Sequence, residues 1–164
     1  MASCAPGWSG AVGSYEISAT VAPRRAVQGG SVVVTVKVSG TGTTLVSGLL
    51  TSTGAVTLDA ATIDLNAGIT TTSGGAAGLV TLNAGAGGVD LATGQAITTT
   101  ATAVANDATI SGAVDINVTG AGTVNLVGNI VTTAEASNAT AGSAGGAVTI
   151  DTDTTVHTLY GNQM

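Results

Sequence analysis

Few residues in this chain of 164 could do acid–base or metal chemistry, and their spacing narrows what they could do. There are nine Asp and Glu, one histidine (His157), one cysteine (Cys4), and only Arg24, Arg25 and Lys37 as bases. Sugar-cleaving sites on stacked β-strands need carboxylates whose proton affinities are pushed apart by neighbouring charges. Asp64, Asp90 and Asp115 recur along the chain, but no Lys or Arg follows Lys37 to support them. They read as a solvated strand face; a lyase would instead depend on Asp90 and Asp115. No Ser has a His at a repeated spacing, so no nucleophilic triad is expected. Asp59, Asn83, Asn117 and Asp151 occupy equivalent places at the ends of similar segments. Hard cations take such oxygens, but an Asn/Asp ladder bonding from turn to turn is the preferred reading. Gly85-Ala-Gly-Gly-Val-Asp90 is similar to a calcium-binding nonapeptide, but without the tandem copy such a site requires. His157, near Asp151 and Asp153, makes a poor metal site alone. Neither metal nor cofactor is expected.

Threonines offer a second kind of surface. If Leu50, Ile69 and Ile97 point inward, then Thr51 and Thr53, Thr70 and Thr72, Thr98 and Thr100 point outward. Flat Thr-x-Thr arrays resemble the ice-binding faces of some antifreeze proteins; the plainer reading is that Thr suits an exposed strand. Asn117-Val-Thr119 and Asn138-Ala-Thr140 are glycosylation sequons.

Composition limits the fold that positions these residues. With no Phe, one Trp (Trp8) and two Tyr (Tyr15, Tyr160), the apolar inventory is Val, Leu, Ile and Ala. A narrow shaft of stacked aliphatics suits it better than an aromatic-centred globule. A net charge of −6 with three basic residues gives no clustered cations for nucleic acid or an anionic membrane. No apolar run is long enough for a spanning helix, so no membrane insertion is expected. One cysteine allows no intrachain disulfide. The first residues do not read as a secretory signal, so export would require one supplied elsewhere.

The organising feature is a repeat. Gly54-Ala-Val-Thr-Leu-Asp59, Gly78-Leu-Val-Thr-Leu-Asn83, Gly112-Ala-Val-Asp-Ile-Asn117 and Gly146-Ala-Val-Thr-Ile-Asp151 start 24, 34 and 34 residues apart. A second short strand follows in three copies (Ile63–Leu65, Val89–Leu91, Val124–Leu126), and a third after it (Ile69–Thr72, Ile97–Thr100, Ile130–Thr133). Gly68, Gly94 and Gly128 mark the bend between second and third strands. An earlier, degenerate copy aligns Val34–Gly40 with Val114–Gly120 and Leu50–Thr53 with Ile130–Thr133. Alternating apolar residues in three strands per copy predict an all-β fold, a parallel β-helix or three-sided β-solenoid of about five coils. At about 4.8 Å per coil the rod would be on the order of 25 Å long. The extra residues of the longer copies, Ala101–Ile110 and Ala134–Gly145, are expected as surface loops at one corner.

Residues 1–30 differ from the repeats and read as an N-terminal cap or a strand donated to a neighbour; residues 31–164 form the solenoid segment. Ser14–Val21 alternates as a strand would. Over residues 31–151 the Gly-x-Val-Thr-Leu-Asn/Asp and Ile-Thr-Thr phrases resemble the repeats of bacterial exoproteins of the filamentous-haemagglutinin type and related β-strand-repeat surface proteins. That resemblance implies secretion, a rod at the cell surface and a role in attachment. The expected function is a non-catalytic structural module of an extracellular adhesin or self-assembling fibre, associating head to tail or through the N-terminal strand. The alternatives are a glycan- or ice-binding solenoid and a β-sandwich, pilin-like subunit.

Overall fold

The computed structural model describes the backbone of Tyr15–Glu16 and residues 34–38, 41–104, 109–136 and 142–153. Cys4, Trp8, Arg24, Arg25, Asn106, Asp107, Asn138, His157 and Tyr160 lie outside the described residues. The strands are β1 (Tyr15–Glu16), β2 (Val34–Val38), β3 (Thr43–Val46), β4 (Leu50–Ser52), β5 (Val56–Leu65), β6 (Ile69–Gly74) and β7 (Val80–Leu91). They continue with β8 (Ala96–Thr102), β9 (Thr109–Ile110), β10 (Val114–Val118), β11 (Val124–Leu126), β12 (Asn129–Ala134), β13 (Ser143–Ala144) and β14 (Val148–Thr152). Among the described residues they form three open sheets. The first runs β1-β2-β5-β7-β10-β14, with β3 on β5 and β11 on β7; the second runs β12-β8-β6-β4; the third pairs β13 with β9. Every pairing is parallel except that of β1 with β2. Strands that pair with their counterparts one repeat away, always in parallel, make a β-solenoid, not the antiparallel sandwich considered as an alternative.

Register follows the repeat. Val34, Val56, Val80, Val114 and Val148 form one row, and Val36, Leu58, Leu82, Ile116 and Ile150 the next. Further round the coil, Val46, Leu65, Leu91 and Leu126 stack, as do Leu50, Ile69, Ile97 and Ile130. The middle members of these rows are fully buried, and the core consists of Val, Leu, Ile and Ala. Each such side chain contributes about 1.5–3 kcal/mol by leaving water, so small aliphatics suffice once they are stacked.

The leading glycine of each repeat has a steric cause. A Cβ on Gly78 would lie 2.0 Å from the Gly54 carbonyl oxygen, one on Gly112 2.0 Å from that of Gly78, and one on Gly146 2.1 Å from that of Gly112. Backbones of successive coils therefore touch at this corner, where a side chain has no room.

Three expectations change in detail. The first and second strands of the repeat are fused in β5 and β7, with a register shift between Ala60 and Thr62. Of the bend glycines, Gly94 has a φ of 75° and belongs to a turn two residues longer than its neighbours, so it does not stack with Gly68 and Gly128. The long insertions are not loops throughout. Their ends form β9 and β13, which pair in parallel, and Ile110 bridges to Ala76, extending the stacking to this corner.

Gly112→Ala should destabilise the chain by about 3 kcal/mol, because a backbone carbonyl cannot yield to the new methyl. Gly94→Ala, which meets open space, should lose only about 1 kcal/mol through its left-handed backbone. Thr44 stacks on Ile63, is buried, and its hydroxyl finds no partner among the described residues. Thr44→Val should therefore gain about 1 kcal/mol. Urea titrations of the three variants check this order.

Candidate functional site

The outward rows are where the chain meets its surroundings, and each is set by the register that builds the core. In the second sheet Thr51, Thr70, Thr98 and Val131 form one row, and Thr72, Thr100 and Thr133 form another. Thr51 is exposed, while Thr70, Thr72, Thr98 and Thr100 are half-buried by their neighbours in the row. Thr53 is exposed and lies past the last paired residue of β4. Five of the six expected threonines thus fall in one lattice, interrupted at one end by Val131, 41% exposed.

Lys37, Asp59, Asn83, Asn117 and Asp151 form a single row on the first sheet. The Asn117 Nδ2 donates to Asn83 Oδ1 at 3.0 Å, and Lys37 Nζ lies 3.9 Å from Asp59 Oδ2. This is the geometry of an amide ladder. A donated hydrogen bond uses the oxygen that a cation would need, and the two carboxylates of the row are kept apart by two amides. Among the described residues, no three His, Cys, Asp or Glu side chains converge as a metal cage. Asn117 of the first sequon is half-buried and committed to this ladder; Asn138 lies outside the described residues.

The other carboxylates are dispersed too. Asp64 and Asp90 are neighbours in a row with Leu45 and Asn125, and Asn125 Nδ2 donates to Asp90 Oδ1. Asp115 stands in a different row, between Thr81 and Thr149. That row (Thr35, Thr57, Thr81, Asp115, Thr149) is a second hydroxyl-rich stripe, and the Thr of each Gly-x-Val-Thr phrase was the signal for it.

A third set of hydroxyls faces inward, where aliphatics alone were expected. Ser52, Thr71 and Thr99 are buried in one row that continues to Thr132. Thr71 Oγ1 donates to Gly78 O at 2.8 Å, Thr99 Oγ1 to Gly112 O at 2.7 Å, and Thr132 Oγ1 to Gly146 O at 3.0 Å. Ser52 Oγ instead accepts from the Gly54 amide at 3.1 Å. In the third coil Ser111 Oγ joins the set, 2.6 Å from Thr99 Oγ1. The sign in the sequence was a Thr two places after each inward Ile, a position that alternation assigns to the interior.

No family profile matches the chain, and comparison with curated proteins and with solved structures gives no match. The fold class implied by the resemblance of the repeats is present; it rests on the strand ladders alone.

Two measurements separate the ladder from a cation row. Millimolar calcium should leave the thermal midpoint unchanged, whereas Asn83→Ala should lower stability by about 1 kcal/mol through the lost amide bond. A calcium-dependent rise in midpoint that Asn83→Ala abolishes would reverse the assignment.

Proposed function

We propose that this chain is a non-catalytic structural module, a stiff solenoid segment of an extracellular surface adhesin or fibre. One observation carries the reading: from coil to coil the inward rows repeat aliphatic residues in register, held by parallel backbone pairing. An enzyme needs one coil to differ from the rest at a point where acid, base and substrate meet. Here the adjacent acids Asp64 and Asp90 have Leu45 and Asn125 beside them in their row and no base, and Lys37 is paired with Asp59 in another row. The fold instead concentrates its free energy in continuous backbone pairing and an unbroken aliphatic shaft, which resist bending and shear. β1, crossing the edge of β2 antiparallel, acts as the cap of the N-terminal coil. Placement outside the cell rests on the resemblance of the repeat phrases and on a surface of hydroxyls and amides with few charges.

Modularity gives the test. Duplicating residues 54–77 between Ala77 and Gly78 adds one coil whose ends match its neighbours. The variant should fold with unchanged or higher stability and lengthen the particle by about 4.8 Å in solution scattering. An insertion that unfolds the chain overturns the modular reading. Antibodies against the chain should label intact producing cells, and labelling only after permeabilisation would remove the extracellular placement.

A second reading attaches to the threonine rows of β4, β6, β8 and β12. Their hydroxyls repeat at about 4.8 Å across strands and about 6.8 Å along them, a flat polar lattice suited to ice or to a glycan. Thermal hysteresis or glycan-array signal lost in Thr70→Lys/Thr98→Lys would support it, and silence of the wild type in both assays would eliminate it.

A further inference from the structure

The first sheet contains one hydrogen bond repeated four times. Val34 N donates to Ala55 O at 2.9 Å, Val56 N to Leu79 O at 2.8 Å, Val80 N to Ala113 O at 3.0 Å, and Val114 N to Ala147 O at 2.9 Å. Each rung presents the amide of its leading valine to the next rung. Among the described residues the series ends at Val148, whose amide occupies the donating position on β14. The inward row stops there as well: Val56, Val80 and Val114 are fully buried, whereas Val148 is 46% exposed. Ile150, the next inward residue of β14, is likewise only partly buried, whereas Leu58, Leu82 and Ile116 in its row are fully buried.

The amide row of the first sheet shows what the terminal edge is suited to receive. It begins with Lys37 beside Asp59 and ends with exposed Asp151. Lys37 is the only Lys or Arg among the described residues. A second copy stacked end to end in the same register would put its Lys37 next to Asp151, repeating the Lys37–Asp59 arrangement within each chain. Its Val34 and Val36 would then continue the rows that close on Val148 and Ile150.

We propose that the C-terminal edge strand, β14, docks the N-terminal coil of a second copy, with Lys37 of one chain facing Asp151 of the other. This rests on the structural-module reading and gives that module its partner. Among the described residues β1 pairs with β2 at two positions, Tyr15 with Val38 and Glu16 with Lys37. Those pairs occupy the place the neighbour would take, so docking displaces β1. The strand thereby acts as a plug that the parallel ladder of a docked copy replaces.

The test uses the full chain in sedimentation-equilibrium runs over a wide concentration range, with hydrogen exchange read at single amides. Wild type should associate end to end, and the Val148 amide should gain protection as concentration rises. Asp151→Lys alone and Lys37→Glu alone place like charges at the junction, so each should associate about fivefold more weakly or worse. An equimolar mixture of the two restores opposite charges at every junction and should recover the wild-type constant. Association of either variant as strong as wild type, or a mixture no better than its parts, overturns the proposal. So does a Val148 amide already protected in dilute monomer, since the chain's own C-terminal residues would then cover the edge. Protection at Leu82 and Ile116 separates the two readings. If those amides are protected while the chain stays monomeric at every concentration, only the docking falls. If they exchange freely, the stacked fold falls with it.

Discussion

Each coil lies on the next through a bond from the amide of its leading valine to the carbonyl just before the next coil's valine, and everything else in the molecule follows from holding that register. A slip of one residue would turn every inward Val, Leu and Ile outward, because side chains alternate along a strand. The bond also draws backbones together at the corner just before each leading valine, which is why Gly78, Gly112 and Gly146 recur there. At that corner the carbonyls of Gly78, Gly112 and Gly146 would be buried polar groups. The hydroxyls of Thr71, Thr99 and Thr132 satisfy them from inside the coil. Glycine and threonine thus work as a pair: one permits the close approach and the other satisfies the oxygen left by it.

The same register fixes the surface, and electrostatics limits what can stand in a row. Unit charges about 4.8 Å apart repel by about 1 kcal/mol in water and about 3 kcal/mol at an effective dielectric of 20. A row of aspartates alone would therefore oppose the stacking that creates it. The first sheet alternates its solution: Lys37 beside Asp59, then two asparagines, then Asp151. Asp64 and Asp90 do stand side by side, and Asn125 donates to Asp90 from the following coil. Threonine carries no such cost, which accounts for its predominance in three further outward rows.

The repeat phrases made the main ladders legible, because Gly-x-Val-Thr-Leu-Asp combines a corner glycine, two inward aliphatics and two outward polar residues in six positions. The gap-free match of Val34–Gly40 to Val114–Gly120 likewise placed Val34 and Val114 in one row. Less was visible where the signal is only two residues long. Thr109–Ile110 and Ser143–Ala144 are too short to show a period, so their parallel pairing emerges only from the stacking around them. The Gly85–Gly88 stretch, similar in sequence to a calcium-binding repeat, is a local widening of β7. Three residues separate Ala84 from Gly88 where one separates their partners Ala60 and Thr62, and Gly88 takes a φ of 76°. The inward Thr71 and Thr99 went unread where only aliphatics were expected, and their hydrogen-bonding role depends on which carbonyl lies across the corner, which one-dimensional spacing does not encode.

Constraint is therefore unevenly distributed, and that distribution bears on what the molecule can do. Interior rows and corner glycines answer to neighbours on both sides, so changing one disturbs two coils. Outward residues answer mainly to the two beside them in their own row, and the inserted corners carry still less. The ends are different again. A terminal rung has a paired rung on one side only among the described strands, with its polarity already set by the direction of the chain. At the N-terminal end the other side meets β1, whose antiparallel course prevents it from continuing the amide series in the same direction. A strand of this kind ends a ladder; it does not extend one. The two ends of the described solenoid are thus chemically unlike, so a parallel ladder continued into a second copy, as proposed above, would run head to tail.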